Sequence, residues 1–154
     1  MKLYLQQHGE ACSKEVDPNR PLTEQGRLDT DRIAAILKKA GVQVDRVIHS
    51  GKLRAVQTAE RLCNTIAPGL ALEASGSINP NDNPIAFDQY KEDSEKDILV
   101  VGHLPFIAKL VSHLVIGDED KTIVTFQPGS IVCLERVNDM NWRIDWMIRP
   151  ELFS

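Results

Sequence analysis

Two histidines stand next to glycines, directly after apolar runs that have the length of a β-strand. The first pair is His8 and Gly9, and the second is Gly102 and His103. In an open α/β sheet, ligands bind outside the carboxyl ends of the strands, so two strands that end in this way can place both imidazoles in one pocket. A glycine beside each imidazole lets the backbone approach a ligand closely. The chemistry that most needs such a pair is phosphoryl transfer through a phosphorylated histidine.

A third strand-like run, residues 46–49, adds a hydroxyl group and a cation to the same predicted pocket. Ser50 follows that run directly, and Arg54 comes one helical turn later. A guanidinium group binds phosphate oxygens through two parallel hydrogen bonds, so Arg54 suits a dianionic phosphoryl group. In this arrangement a neutral imidazole at His8 would attack phosphorus. A protonated His103 would bind the remaining phosphoryl oxygens.

The elements that position these residues alternate between strand and helix. The residue patterns predict strands at 2–6, 46–49, 70–73 and 97–101. They predict helices from Thr23 to Gly41, around 55–66, at 85–93 and from Pro105 to Gly117. The end of the sequence predicts a hairpin of strands 130–137 and 142–148. This order favours an α/β fold with three layers, α/β/α, in which a mostly parallel central sheet carries an antiparallel hairpin at one edge. We assign residues 1–154 to a single domain, because the chain has the length of one.

The composition argues against several other kinds of protein. The net charge of −4 and the pI near 5.5 give no general attraction for nucleic acid or for an anionic membrane, so a phosphate site needs a local cluster of cations. No apolar run has transmembrane length, and the strand-like start argues against a cleaved signal peptide. Three cysteines without a Cys-x-x-Cys pair indicate reduced thiols and a cytoplasmic protein. The acidic residues 118–120 have no histidine at ligand spacing, and we predict neither a metal site nor a cofactor.

These residues resemble the motifs of the histidine phosphatase superfamily, and more narrowly those of its short, SixA-like phosphohistidine phosphatase branch. The matching segments are 8–11 (His-Gly-Glu-Ala), 20–26 (Arg-Pro-Leu-Thr and then Gly), 50–59 (Ser, then Leu-Arg-Ala and Gln-Thr-Ala) and 101–103 (Val-Gly-His). The resemblance covers most of residues 2–116. It implies that His8 becomes phosphorylated, that Arg54 and His103 belong to the phosphate pocket, and that the enzyme is a metal-independent phosphatase.

The chain departs from the family pattern directly before His8, where Gln7 replaces the motif arginine. Glutamine keeps hydrogen-bond donors for a phosphoryl group but carries no positive charge. Loss of one preorganised donor costs about 2.7–4 kcal/mol, or on the order of a hundred- to a thousand-fold in rate. Without the neighbouring charge, the pKa of His8 should also rise, which reduces its nucleophilic fraction near neutral pH. Both effects predict weakened catalysis, which Lys52 could partly offset, and Lys14 and Arg20 are weaker candidates for that role.

The acidic residues near the motif favour one class of substrate. Glu10 is the only acid inside the motif, and we find no other carboxylate that would protonate a leaving alkoxide. Phosphohistidine is less demanding, because cleavage of its P–N bond releases an imidazole that leaves once it is protonated. We therefore favour phosphohistidine over an oxygen ester as the substrate.

Three functions fit these residues. The first is hydrolysis of phosphohistidine in a partner protein, through a phosphohistidine intermediate on His8. The oxygens would be held by Gln7, Arg54 and His103, with Gly9 and Ser50 beside them. The second is a catalytically degenerate module that binds phosphate or phosphohistidine without turnover. The third is hydrolysis of a small phosphorylated metabolite, and for all three we expect the site to accept a phosphate or sulfate ion.

The other histidines and the two tryptophans are predicted to be structural. His49 ends a strand but belongs to no motif, and His113 lies within a helix. Trp142 and Trp146 are four residues apart in a predicted strand, which places both on one face of the hairpin as part of the core.

Overall fold

The computed structural model describes residues 1–90, 95–139 and 141–153, which form a six-stranded sheet with helices on both faces. The strands are β1 (Lys2–Gln7), β2 (Arg46–His49), β3 (Leu72–Ala74), β4 (Ile98–Gly102), β5 (Ile131–Asn138) and β6 (Asn141–Ile148). The helices are α1 (Glu24–Lys39), α2 (Leu53–Ile66) and α3 (Phe106–Ile116), with short 3-10 helices at Pro84–Tyr90 and Pro150–Leu152. Within the described ranges, no helix is both long enough and apolar enough to cross a membrane.

The sheet brings the carboxyl ends of three strands side by side. Its strand order is β3-β2-β4-β1-β5-β6, in which β1 to β4 run parallel, β5 runs antiparallel to β1, and β6 runs antiparallel to β5. The pairing of β1 with β4 sets Gln7 opposite Gly102, and β4 also pairs with β2. The predicted sheet, mostly parallel with an antiparallel hairpin at one edge, is confirmed.

Successive residues of the central strands fill two separate cores, one on each face of the sheet. On β2 and β4, Val47 and Leu99 pack beneath α1 and α2, whereas Ile48 and Val100 pack beneath α3 and the first 3-10 helix. Because both faces of these strands are covered, they appear in the sequence as continuous apolar runs. The predicted three-layer α/β/α arrangement is confirmed.

The strand predicted at 70–73 and the helix predicted at 85–93 differ most from the structure. The strand predicted at 70–73 is observed at Leu72–Ala74, since Leu70 still belongs to the turn that follows α2. The helix predicted at 85–93 is a 3-10 helix over Pro84–Tyr90, and the end of that prediction lies outside the described residues. Both differences lie away from the strand ends that carry the predicted site.

The hairpin contains a β-bulge that overturns the prediction that both tryptophans lie on one face, although both pack in or against the core as predicted. Between the pairs Cys133–Trp146 and Leu134–Ile144, β6 takes two steps where β5 takes one. One extra residue reverses the alternation of side chains beyond it. Trp142 therefore packs in the core beneath α3, whereas Trp146 packs against the core beneath α1 and α2.

The loop that follows β1 packs directly on the first turn of α1. The carbonyl oxygen of Glu10 accepts a hydrogen bond of 2.9 Å from the N–H of Thr23, the residue that caps α1. A Cβ atom at Gly26 would lie 2.1 Å from that same carbonyl oxygen, and one at Gly9 would lie 3.0 Å from Oγ1 of Thr30. Both glycines are therefore needed because loop and helix approach so closely.

We expect Gly26→Ala to destabilise the protein. Alanine at an unobstructed helix position would gain up to about 1 kcal/mol over glycine, but here the added methyl group overlaps the backbone of Glu10. Overpacking of this kind typically costs about 1–3 kcal/mol. Denaturant unfolding should show a lower free energy of unfolding for this variant.

Gly76→Ala is the matched control, since an added Cβ at Gly76 meets no atom within 4 Å and the residue has no positive φ. This control should have the same free energy of unfolding as the wild type or a slightly higher one. A Gly26→Ala protein as stable as the Gly76→Ala protein would contradict the packing described for the loop.

Candidate active site

His8 leaves β1 at the carboxyl edge of the sheet with its ring orientation fixed. Its backbone N–H donates to the carbonyl oxygen of Gly102 at 3.0 Å, and its side chain is buried, with 9% of the residue exposed. Nδ1 of the ring lies 2.7 Å from the carbonyl oxygen of Gly9. A carbonyl oxygen can only accept, so Nδ1 carries the proton. Nε2 is then left with a free lone pair.

His103 follows β4 and lies beside His8, as the strand-end argument predicted. The two ring centroids are 4.9 Å apart and the ring planes are inclined by 53°. Nε2 of His103 lies 2.6 Å from Oγ of Ser50, which itself accepts the N–H of Lys52 at 3.4 Å. This contact ties the ring of His103 to the loop after β2. The other ring nitrogen, Nδ1, is a buried atom with no partner among the described residues.

Arg54 lies in the first turn of α2, which is tied to the loop after His8. Its carbonyl oxygen accepts the hydroxyl proton of Thr58 at 2.8 Å, and the same hydroxyl oxygen accepts the N–H of Gly9 at 3.0 Å. Nε of Arg54 is buried and without a partner in the described part of the chain. The N–H of Gly9 is already donated to Thr58, so the predicted phosphate contact of Gly9 cannot use that group without breaking this bond.

Gln7 is buried at the end of β1, with 7% of the residue exposed. Its main chain is held on both sides, because its N–H donates to the carbonyl oxygen of Ser130 and its carbonyl oxygen accepts the N–H of Gly129. Its side-chain oxygen is buried and has no hydrogen-bond partner among the described residues. Oε1 of Gln7, Nε of Arg54 and Nδ1 of His103 are thus three unpaired buried polar atoms among the predicted site residues. Such atoms are rare in folded proteins and are typical of a site that binds a polar ligand.

Burial keeps both imidazoles neutral. It is the main cause that lowers the pKa of His8 to about 4, with the charges of Arg54 and Arg20 acting in the same direction. The pKa of His103 falls to about 3, first through burial and then through the neighbouring His8 and Arg54. The ligand-free site therefore holds a neutral His103. One prediction is corrected: the loss of charge at Gln7 does not deplete neutral His8 near pH 7, because burial lowers the pKa of His8 to about 4.

The two auxiliary candidates take different positions. The exposed Glu10 accepts a hydrogen bond of 2.8 Å at its carboxylate from the hydroxyl of Thr23, which ties this acid to the start of α1. Lys52 precedes α2 and is half-buried, and its charge helps to lower the pKa of His103. Lys52 is therefore part of the electrostatic surroundings of the site.

Arg20, ranked below Lys52 on sequence grounds, is close to the site. Its charge acts on His8, on His103 and on Arg54, whose pKa it helps to lower after the effect of burial. The loop that carries Arg20 is tied to α2, because Oε1 of Gln57 accepts the N–H of Leu22 at 2.8 Å. The sequence signal for this residue is its place just before the cap of α1, but its distance from the histidines depends on how the loop folds back.

The remaining histidines have other surroundings. Nδ1 of His49 accepts the N–H of Gly51 at 3.0 Å, so this ring supports the turn that carries the Ser50 hydroxyl. His113 is in α3, 3.7 Å from a carboxylate oxygen of Asp88. In the part of the chain that the structure describes, no group of three or more His, Cys, Asp or Glu side chains could hold a metal ion.

Comparisons of the sequence with known proteins agree with this geometry. The family model described as the histidine phosphatase superfamily (branch 1) matches residues 3–74. The chain is 27% identical over 150 residues to the phosphohistidine phosphatase SixA of Escherichia coli (strain K12), an alignment that covers 94% of this chain and 93% of that protein.

Solved structures show the same fold. The protein histidine phosphatase SixA in complex with tungstate superposes with a TM-score of 0.88 at 26% identity, covering 100% of both chains. A mycobacterial glucosyl-3-phosphoglycerate phosphatase in complex with VO3 superposes with a TM-score of 0.71 at 16% identity, covering 94% of this chain and 96% of that one, and this likeness concerns the fold alone. By the motif residues gathered at its strand ends and by these relatives, the chain is similar to the histidine phosphatase superfamily and, within it, to the SixA-like branch.

Proposed function

We propose that this phosphatase hydrolyses phosphohistidine in a partner protein, through a phosphorylated intermediate on His8. The observation that carries the proposal is the neutral, oriented imidazole of His8, which has an unprotonated Nε2 and whose ring lies 4.9 Å from the ring of His103. The similar SixA of Escherichia coli is a phosphohistidine phosphatase, and SixA binds tungstate, a tetrahedral oxyanion shaped like phosphate.

The reaction has two displacement steps at phosphorus. In the first, the lone pair on Nε2 of His8 forms a P–N bond while the P–N bond of the substrate breaks, and the leaving imidazole takes up a proton. In the second, water attacks phosphorus, the bond to Nε2 breaks, and inorganic phosphate leaves. The Nδ1–H bond to the carbonyl oxygen of Gly9 keeps the ring in the tautomer that both steps need.

Donors from other elements would hold the phosphoryl oxygens. Arg54 brings a guanidinium charge, and Nδ1 of His103, which has no other partner among the described residues, can donate to an oxygen when it carries a proton. A bound dianion favours the protonated form of a nearby imidazole, so substrate would raise the pKa of His103 from its low ligand-free value. We propose that the reaction needs no metal ion, since these groups can neutralise the charge that develops on the oxygens.

The surroundings of Glu10 support phosphohistidine as the substrate. Its carboxylate is bonded to the hydroxyl of Thr23, so this acid is already engaged at the start of α1. An alkoxide leaving group needs a strong proton donor, whereas an imidazole leaves with a proton that it can take from water near neutral pH. An oxygen ester is therefore a poorer match to the site.

Gln7 favours a second candidate function, a module that binds phosphate or phosphohistidine without turnover. Its buried amide lies next to His8 without adding charge, and its unpaired oxygen is not a donor to an anion. A site with fewer cations holds the transition state less tightly, even when the nucleophile is intact.

We expect the wild type to release phosphate from a phosphohistidine-containing protein, and His8→Ala to release none, because the nucleophile is removed. Gln7→Arg should raise kcat by up to about a hundred-fold, since it restores one preorganised donor. Phosphate release is measured on the phosphoprotein and on an aryl phosphate, with His113→Ala as a control that removes a histidine from α3 and should keep full activity.

Other outcomes of this assay have clear meanings. Turnover only after Gln7→Arg would support the binding module. A preference for the aryl phosphate, or for a small phosphorylated metabolite tested beside it, would overturn the proposed substrate. Acid-labile phosphate trapped on His8 during turnover would directly support the intermediate.

The pH profile should show a nucleophile with a strongly lowered pKa. With a pKa of about 4 for His8, kcat/KM should stay level from pH 8 to about 5 and fall below that, as His8 takes up a proton. The rate is measured after subtraction of the spontaneous hydrolysis of phosphohistidine in acid, and NMR titration of the imidazoles checks the assignment. A fall in kcat/KM centred near pH 6.5, the ordinary pKa of histidine, would contradict the burial argument.

A further inference from the structure

We propose that Arg20 is the second guanidinium of the phosphoryl pocket and supplies the positive charge that Gln7 lacks. This inference rests on the proposed phosphate chemistry of the site. It differs from the expectation based on sequence, which placed Lys52 ahead of Arg20 for the same role.

The loop after His8 returns to the site through a fixed path. Ala11 and Leu22 form an isolated β-bridge, and the N–H of Cys12 donates to the carbonyl oxygen of Pro21 at 2.8 Å. The hydrogen bond from Leu22 to Gln57 then attaches the second half of the loop to α2, the helix that carries Arg54. These bonds close the loop at its base and place Arg20 within it, next to the closed end.

Arg20 is held in a specific conformation there. Its φ is +50°, the one positive φ found for a residue other than glycine in the described ranges. A side chain in that region of backbone space is uncommon and is often found at functional sites. Its Nε donates to the carbonyl oxygen of Cys12 at 3.0 Å, which uses one of the five N–H groups of the guanidinium. The other four remain available to an oxyanion.

The charge of Arg20 is not balanced by the protein. No carboxylate pairs with it in the part of the chain that the structure describes, and the same holds for Arg54. The charge of Arg20 disfavours the charge on Arg54, and both guanidinium groups disfavour protonation of the two imidazoles. Unpaired like charges held together beside neutral imidazoles are unfavourable until an anion lies among them. That arrangement indicates a binding site for a dianion.

The two lysines considered for this role fit it less well. Lys14 is exposed, and the charge of Lys52 acts on His103 without a comparable effect on His8. The charge of Arg20 acts on both imidazoles. It would therefore also attract a phosphoryl group bound between them.

The test substitutes Arg20→Gln in two backgrounds, the wild type and Gln7→Arg. Nε2 of glutamine occupies the position of Nε in arginine, so the bond to Cys12 can be kept while the charge is removed. Calorimetry measures the Kd of inorganic phosphate, and steady-state kinetics measure kcat and KM on a phosphohistidine protein. Arg32→Gln, which removes an exposed charge from α1, is the matched control.

We expect Arg20→Gln to weaken phosphate binding at least tenfold and to lower kcat/KM on the order of a hundred-fold. In the Gln7→Arg background the same substitution should cost less than tenfold, because the introduced arginine carries the missing charge. Arg32→Gln should leave the Kd of phosphate unchanged. Such a difference between the backgrounds is a coupling between positions 7 and 20, which support of the loop alone would not produce.

Two results would overturn the inference. One is phosphate binding by Arg20→Gln as tight as in the wild type, and the other is an equal loss in both backgrounds, which would make Arg20 a support of the loop only. A wild type that binds phosphate but hydrolyses no phosphohistidine would instead overturn the proposed function, and the Kd values would still decide the role of Arg20.

Discussion

The site depends on one hydrogen bond, from the N–H of His8 to the carbonyl oxygen of Gly102. This bond continues the pairing of β1 with β4 one residue beyond the end of β1, so the segments that follow the two strands leave the sheet at the same level. His8 and His103 therefore lie side by side, with their ring centroids 4.9 Å apart. Helices on both faces of the sheet make this edge rigid, and the bonds from Gly9 to Thr58 and from Leu22 to Gln57 join the loop after β1 to α2. The imidazole pair is therefore positioned by the main chain before any ligand arrives, which is what preorganised catalysis requires.

Burial determines the chemical state of that pair. Taking two imidazoles out of water disfavours their charged forms more than any single neighbour does, and it leads the causes that lower the pKa of both His8 and His103. The neutral charge of Gln7 therefore matters little to the availability of the nucleophile. In the proposed function, the missing charge instead affects the binding of the dianion, which Arg54, His103 and Arg20 would meet. The structure thus separates the effect of Gln7 on the protonation of His8 from its effect on the binding of an anion, two effects that the sequence analysis had taken together.

The order of elements, the sheet direction and the neighbouring strand ends could all be predicted from local patterns, because apolar runs and helix caps such as Thr23 depend on nearby residues. The convergence of His8 and His103 followed from a general property of parallel sheets. Three features could not be predicted in this way. The bulge that separates Trp142 from Trp146 depends on the pairing of β6 with β5. The neutral state of His103 depends on how deeply the folded chain covers it. The nearness of Arg20 depends on the hydrogen bond from Cys12 to Pro21, which joins the two sides of one loop.

Glutamine at position 7 has a physical advantage as well as a cost. An arginine at this buried position would add a guanidinium directly before His8, on which the charges of Arg54 and Arg20 already act. No carboxylate in the described residues pairs with either of those two arginines. Each added like charge disfavours the ligand-free fold, since desolvation and repulsion act in the same direction. A buried amide removes that repulsion and leaves its own oxygen without a partner, which is a smaller penalty than an unpaired buried charge. Compared with arginine, glutamine at position 7 would therefore weaken the binding of a dianion and stabilise the ligand-free protein. Such a trade-off between function and stability is common in proteins.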